Sequence, residues 1–197
     1  MTFVIQPIVE GFGEAHSIRT LICRIGMQYS SLDHVEVLTP MNAKGSENLK
    51  TKLENFVQFA EVKIRQSEKT GGVLILLDSD DNCPASLAPQ LLERAKTVCG
   101  HLPISVVMAH REYESWFLAS APSIPSLGTN TVHPEPETVR GAKEWLSQTM
   151  QSKYNPVDHQ ASFTTVFDLA MARASAPSFD KLCRDLEQMF TELQSPR

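Results

Sequence analysis

Three short segments of the chain carry carboxylates at spacings suited to holding a divalent cation: Glu10 with Glu14, Asp78 with Asp80 and Asp81, and Glu112 with Glu114. They hold seven of the 23 acidic residues. Two carboxylates about 4 Å apart repel by roughly 4 kcal/mol at an effective dielectric of 20, so a site that gathers them must protonate some or bind a counter-ion. A hard cation with oxygen ligands, Mg²⁺ or Mn²⁺, is the simplest compensation. The metal-ligand candidates are Glu10, Glu14, Asp78, Asp80, Glu112 and Glu114. Taken singly, each segment also has a plain structural use. Glu10 and Glu14 suit a helix N-terminus, Asp78 to Asn82 suits a capping turn, and Glu112 and Glu114 suit a solvated helix. Positions two apart diverge on a helix, so one of Glu112 and Glu114 is expected to face the site.

What would bring these segments together is a parallel sheet, whose ligand sites lie beyond the carboxyl ends of its strands. Residues 3 to 9 read as a first strand that stops at Glu10-Gly11. A helix follows, with Ile18, Leu21, Ile22 and Ile25 on its apolar face. Residues 35 to 38 form a second strand, and Thr39-Pro40 opens a polar loop. One long helix is expected from Glu47 to Lys69, ended by Gly71-Gly72. Val73 to Leu77 is apolar without alternation, as in a strand covered on both faces, and is the expected centre of the sheet. A helix opens at Pro84. Residues 104 to 109 make a fourth strand, which hands over to a short helix with Trp116, Phe117 and Leu118. The fold class is therefore α/β, with an open, mostly parallel four-stranded sheet over residues 1–120. Residues 121–197 read as a loop and a helical extension packed on that core. Its helices are expected near Pro136, from Phe163 to Ala174, and from Ser178 to Leu193.

Composition narrows the function. The chain has 197 residues and a formal net charge of -5, so it cannot hold nucleic acid by overall charge. The seven candidate carboxylates more than account for that balance, which makes nucleic-acid binding an expectation only through metal. The four cysteines make no CxxC pair and the six histidines no HxxxH, so no structural zinc site is expected. The longest apolar run is too short to span a bilayer. An opening directly in a strand pattern, without a basic leader, places the protein in the cytoplasm. Asp78-x-Asp80-x-Asn82 imitates a calcium loop but has Cys83 where glycine is required and Pro89 where the closing glutamate belongs. Glu10-Gly11-Phe12-Gly13 lacks the third glycine of a dinucleotide fingerprint. Neither a phosphate-binding G-x-x-x-x-G-K nor a G-x-S-x-G nucleophile motif occurs. A phosphotransfer domain of receiver or dehalogenase type also places Asp at strand ends, but Asn82 stands where the dehalogenase pattern wants Thr or Val. Trp116, Trp145 and His110 read as structural.

A strand ending in Glu10-Gly11, a strand ending in Asp78-Ser79-Asp80 and a third acidic element resemble the Toprim domain of topoisomerases, primases and overcoming-lysogenization-defect nucleases. The detail is closer to a bacterial family known as domain of unknown function 4276. Its pattern is met by Val9-Glu10-Gly11 with Glu14, by Leu77-Asp78 with Asp80 and Cys83, and by Arg111-Glu112-x-Glu114-x-Trp116. It continues through Pro136-Glu137, Ala142-Lys143, Tyr154 and Ser178-Phe179. The resemblance implies a Toprim-like core, Mg²⁺-binding carboxylates, phosphodiester cleavage as in the related nucleases, and a separately encoded ATPase partner, in some cases in antiviral defence. No lysine adjoins the acidic segments, so the basic group near a scissile phosphate would be Arg111 or the more distant Lys143.

The resulting expectation is a metal-dependent nuclease. Asp78 and Asp80 hold one cation, Glu14 and one of Glu112 and Glu114 complete the ligand set, Glu10 is a ligand or general base, and Arg111 is a donor. The alternative is a non-catalytic subunit that binds a partner ATPase. The apolar stripe Phe179, Leu182, Leu186, Met189, Phe190 and Leu193 on the last helix would serve as its docking or oligomer surface, unless it packs on its own domain.

Overall fold

The computed structural model describes residues 3–195. β1 (Phe3–Val9) leads into α1 (Phe12–Ser30), β2 (Glu36–Val37) and β3 (Met41–Asn42), then α2 (Ser46–Thr51) and α3 (Leu53–Gln66). β4 (Thr70–Asp78), α4 (Pro84–Cys99) and β5 (Ile104–Ala109) follow, then α5 (Ser115–Leu118). After three short 3₁₀ turns come α6 (Ala142–Met150), α7 (Pro156–Val166), α8 (Leu169–Ser175) and α9 (Pro177–Gln194). The sheet runs β2-β1-β4-β5, with β3 also on β1, and its pairings are parallel.

Among the described residues there are five strands rather than the expected four. The addition lies in the Thr39-Pro40 loop, and Pro7 explains the division. Pro7 has no N–H to give the ladder, and β2 leaves β1 after Ile5 while β3 joins it at Ile8. The buried Gln6 amide bridges the gap by donating to the Thr39 carbonyl at 3.0 Å.

The long helix expected over Glu47 to Lys69 is two helices. Arg94 of α4 takes the Lys50 carbonyl at 2.9 Å and the Glu54 carboxylate at 2.7 and 2.8 Å, which draws that carbonyl out of the helical ladder. Gly71 and Gly72 do not end the helix but sit inside β4. A Cβ on Gly71 would lie 2.9 Å from the Val4 carbonyl, and one on Gly72 would lie 2.6 Å from the Met189 sulfur of α9. Glycine here permits a close approach rather than a turn. The helix expected near Pro136 is only a 3₁₀ turn over Pro136–Thr138. The pattern from Phe163 to Ala174 divides at Phe167, because the Asp168 carboxylate caps α8 by accepting from Met171 N at 2.8 Å.

β1, β4 and β5 carry apolar side chains on both faces. Ile5, Val9, Leu74, Leu76 and Val107 face α1 and the helices after β5, while Val4, Ile8, Val73, Ile75 and Val106 face α2, α3 and α4. The C-terminal half thus completes one layer of a three-layer sandwich. The stripe on α9 is consumed in this layer: Phe179, Leu182, Leu186 and Phe190 are fully buried, which corrects its reading as a docking or oligomer surface.

Candidate functional site

Parallel pairing places the acidic segments at one rim. Val9 lies opposite Leu76 and Asp78 opposite Ala109, so Glu10, Asp78 and the chain after Ala109 emerge side by side. The Asp78 N–H donates to Glu10 Oε2 at 3.1 Å, and the Tyr113 N–H donates to Asp78 Oδ1 at 2.8 Å. Two residues with positive φ, Asp80 at 49° and Arg111 at 67°, turn the two loops toward each other. The Asp80 N–H donates to the Arg111 carbonyl at 3.1 Å, and the Arg111 N–H donates to Ser79 Oγ at 2.8 Å.

Glu14 joins from the first turn of α1. The Gln160 amide of α7 donates to Glu14 Oε1 at 3.1 Å and to Glu114 Oε1 at 3.3 Å. This bridge accounts for Gly13, where a Cβ would collide with the Gln160 amide oxygen and press on Pro156 at 3.1 Å. Gly13→Ala should therefore cost about 1–3 kcal/mol, read in thermal unfolding, by forcing α7 away from α1. An unchanged melting temperature would show that Gln160 has room to move.

Both Glu112 and Glu114 point to one group, which corrects the expectation that only one does. They precede α5 in an irregular turn, so helical periodicity does not set their directions. Lys143 of α6 lies between them, with Nζ 3.2 Å from Glu112 Oε2 and 3.5 Å from Glu114 Oε2. Neither buried oxygen receives a well-directed hydrogen bond. The buried Tyr154 hydroxyl, beside Glu114, also lacks a partner.

The electrostatics follow from crowding. Burial raises Asp78 well above the usual carboxylate range, and repulsion from Glu114, Glu14 and Glu10 raises it further. Burial also raises Glu10, against the Asp78 N–H, with Glu14 and Asp80 adding to the rise. Glu114 is pushed up to about 7 by burial, with Lys143 opposing and Glu14 and Glu112 assisting. Burial pulls the Lys143 ammonium down, but Glu114, Asp78 and Glu112 outweigh it and hold it above its ordinary value.

Arg111 takes a different place from the one expected. Its guanidinium is ion-paired with Asp81 and donates to the Asp80 carbonyl at 3.2 Å, and Arg140 also reaches Asp81 at 2.7 Å. Lys143, not Arg111, is the cation among the carboxylates. His110 lies 3.8 Å from buried Glu137, which accepts from the Ser178 N–H at 2.9 Å, while Trp116 Nε1 donates to Ser178 Oγ at 2.8 Å. These groups brace α9 against the end of β5, as structural residues do.

A family model described as Domain of unknown function (DUF4276) matches residues 9–187, from the last residue of β1 to the third turn from the end of α9. The chain belongs to this family. Neither a curated protein nor a solved structure matches it.

In this DUF4276 protein the carboxylates at the rim suit a hard divalent cation by donor chemistry. They offer oxygen alone, and Glu112 Oε2 and Glu114 Oε2 are buried without a directed donor. The oxygens are spread. Among the described residues, the side chains whose donors close to within 4.8 Å as a group of three are Glu61, Cys99 and His101, not a set from the rim. A cation at the rim would thus be held by one or two carboxylates at a time, with water completing its shell, as Mg²⁺ prefers. Gln160 and the Tyr113 N–H escape sequence reasoning. Lys143 and Tyr154 were visible only within the family pattern. Among the described residues, no helix is long and apolar enough to cross a membrane.

Proposed function

We propose that this protein is a Mg²⁺- or Mn²⁺-dependent phosphodiesterase of Toprim type that cleaves nucleic acid in the cytoplasm, working with a separately encoded ATPase in antiviral defence. The observation that carries the hydrolytic reading is the convergence of Glu10, Glu14, Asp78, Asp80, Glu112 and Glu114, from three segments, at the carboxyl end of one parallel sheet. The ATPase and defence roles rest on the resemblance alone. The cation would be held by one or two of Glu10, Glu14, Asp78, Asp80, Glu112 and Glu114 at a time, with water completing its shell. When bound, it supplies countercharge to the carboxylates and Lewis acidity toward a phosphodiester. Glu10, with its raised pKa, accepts a proton from attacking water. Lys143 moves its ammonium between the carboxylates and a phosphate oxygen, so that charge developing on phosphate is neutralised. Phe12, between Glu10 and Glu14 in sequence, is 58 % exposed and offers an aromatic face on which a base can stack.

The test is cleavage of labelled single- and double-stranded DNA and RNA by purified protein in Mg²⁺ or Mn²⁺. The wild type should cut at least one of them and the Asp78→Asn/Asp80→Asn double variant none. Equal cleavage by both would sink the proposal.

The second reading is a non-catalytic subunit that binds or regulates a partner ATPase. One observation favours it: Lys143 already neutralises part of the carboxylate cluster from within the chain. It predicts no cleavage and no Mg²⁺ binding by the wild type, alone or with its ATPase.

A further inference from the structure

We infer that Glu61, Cys99 and His101 form a second cation site, of zinc class, at the opposite end of the sheet from the acidic rim. Cys99 is the last residue of α4, His101 lies in the turn that leads to β5, and Glu61 reaches them from α3. Cys99 Sγ is 3.9 Å from each ring nitrogen of His101, and His101 Nε2 is 3.6 Å from Glu61 Oε1. Donor atoms from all three lie within 4.8 Å of one another. Bond lengths of about 2.3 Å to sulfur and about 2.0–2.2 Å to nitrogen and oxygen put the donors of a tetrahedral zinc site about 3.4–3.6 Å apart. Small rotations of the His101 imidazole and the Glu61 carboxylate toward Cys99 Sγ would close the remaining gap.

The chemistry selects the ion. One thiolate, one imidazole and one carboxylate suit zinc and not Mg²⁺, which takes oxygen donors. Cys99 is buried and forms no disulfide, so its sulfur is not spent on a covalent partner. Burial and Glu61 push its thiol up to about 11, which means the ion enters by displacing the thiol proton to solvent as the sulfur–metal bond forms. The His101 side chain is 63 % exposed and borders a cleft of about 400 Å³ lined also by Lys96, Pro103 and Asp185. That side is open for water as the fourth ligand. The sequence gives little sign of the site, because Cys99-x-His101 is too short a motif and Glu61 comes from another helix.

Binding would tie α3 to the α4–β5 turn. The test is titration of the full chain with cobalt(II), a zinc surrogate, under reducing conditions. A near-ultraviolet thiolate-to-cobalt band should saturate at one ion per chain, disappear on addition of zinc and persist in Asp78→Asn. His101→Ala, a change at an exposed position that leaves the fold intact, should weaken cobalt binding by about ten- to a hundredfold, and Glu61→Gln should act in the same direction. Zinc should raise Tm by several degrees in the wild type and not in His101→Ala. Absence of a sulfur band in the wild type, or unchanged affinity in His101→Ala and Glu61→Gln, overturns the site. The second outcome would assign the band to exposed Cys83.

Discussion

Asp78→Asn is expected to give a protein that is more stable than the wild type without metal and inactive with it. The Asp78 carboxylate is crowded by Glu114, Glu14 and Glu10, with Lys143 the opposing charge nearby, and burial adds to its cost. Asparagine keeps the shape and keeps an oxygen to accept from the Tyr113 N–H, now at 2.8 Å, while removing the charge. Relief of that repulsion should raise stability by about 0.5–2 kcal/mol in EDTA, the range typical where a strained functional site is neutralised. The same change removes a cation ligand from the rim, so cleavage should fall by at least about a hundredfold. Asp81→Asn is the control. Asp81 is exposed and paired with Arg111 and Arg140, so its loss should cost no more than about 1 kcal/mol and bring no gain. Denaturant unfolding of the three proteins decides it. Destabilisation by Asp78→Asn would mean that the carboxylate is compensated within the chain and the rim is not strained.

The sheet was legible because β1, β4 and β5 are short, mostly apolar segments, and a strand buried on both faces needs little more. The rim was legible for the same reason: once the strands are placed, Glu10, Asp78 and the residues after Ala109 must share an end. What escaped depends on partners far along the chain. The break between α2 and α3 is made by Arg94, 40 residues from Glu54. The glycine pair at 71 and 72 looks like a helix stop, and only the closeness of Val4 and Met189 shows it to be a strand that must lie flat. Gly13 had no role in sequence once the dinucleotide fingerprint failed, and it makes room for Gln160, 146 residues on from Glu14. Periodicity misjudged Glu112 and Glu114, because it assumed a helix from Glu112 where α5 begins only at Ser115. Lys143 stood as the more distant alternative to Arg111, and α6 abolishes that distance in space.

Without divalent cations, stability should fall as pH rises from 5 to 8. Glu114 is fully buried, and its pKa moves from the ordinary 4.5 to about 7 in the folded chain. Between those values the folded state keeps a proton that the unfolded state has released, so unfolding releases protons and each rise in pH favours it. The loss begins near pH 4.5 and is complete above about 7, and a shift of this size amounts to about 3 kcal/mol. Asp78 and Glu10 are shifted in the same direction and add to it. Lys143 does not offset the trend, since its raised pKa contributes stability that is fully present below 10.5 and lost only at higher pH. Glu54 and Asp180 are depressed by their arginine partners and give up stability only as pH falls below 4.5 and 3.8, outside the window. Thermal unfolding in EDTA at several pH values should show the slope, and Glu114→Gln should flatten most of it. Millimolar Mg²⁺ should restore stability at pH 8 far more than at pH 5, because a cation binds the ionised carboxylates and not the protonated ones. A slope that Mg²⁺ leaves unchanged would keep the carboxylate cluster and remove the metal, which favours the non-catalytic reading. No slope at all would mean that Lys143 neutralises Glu114 completely across the range.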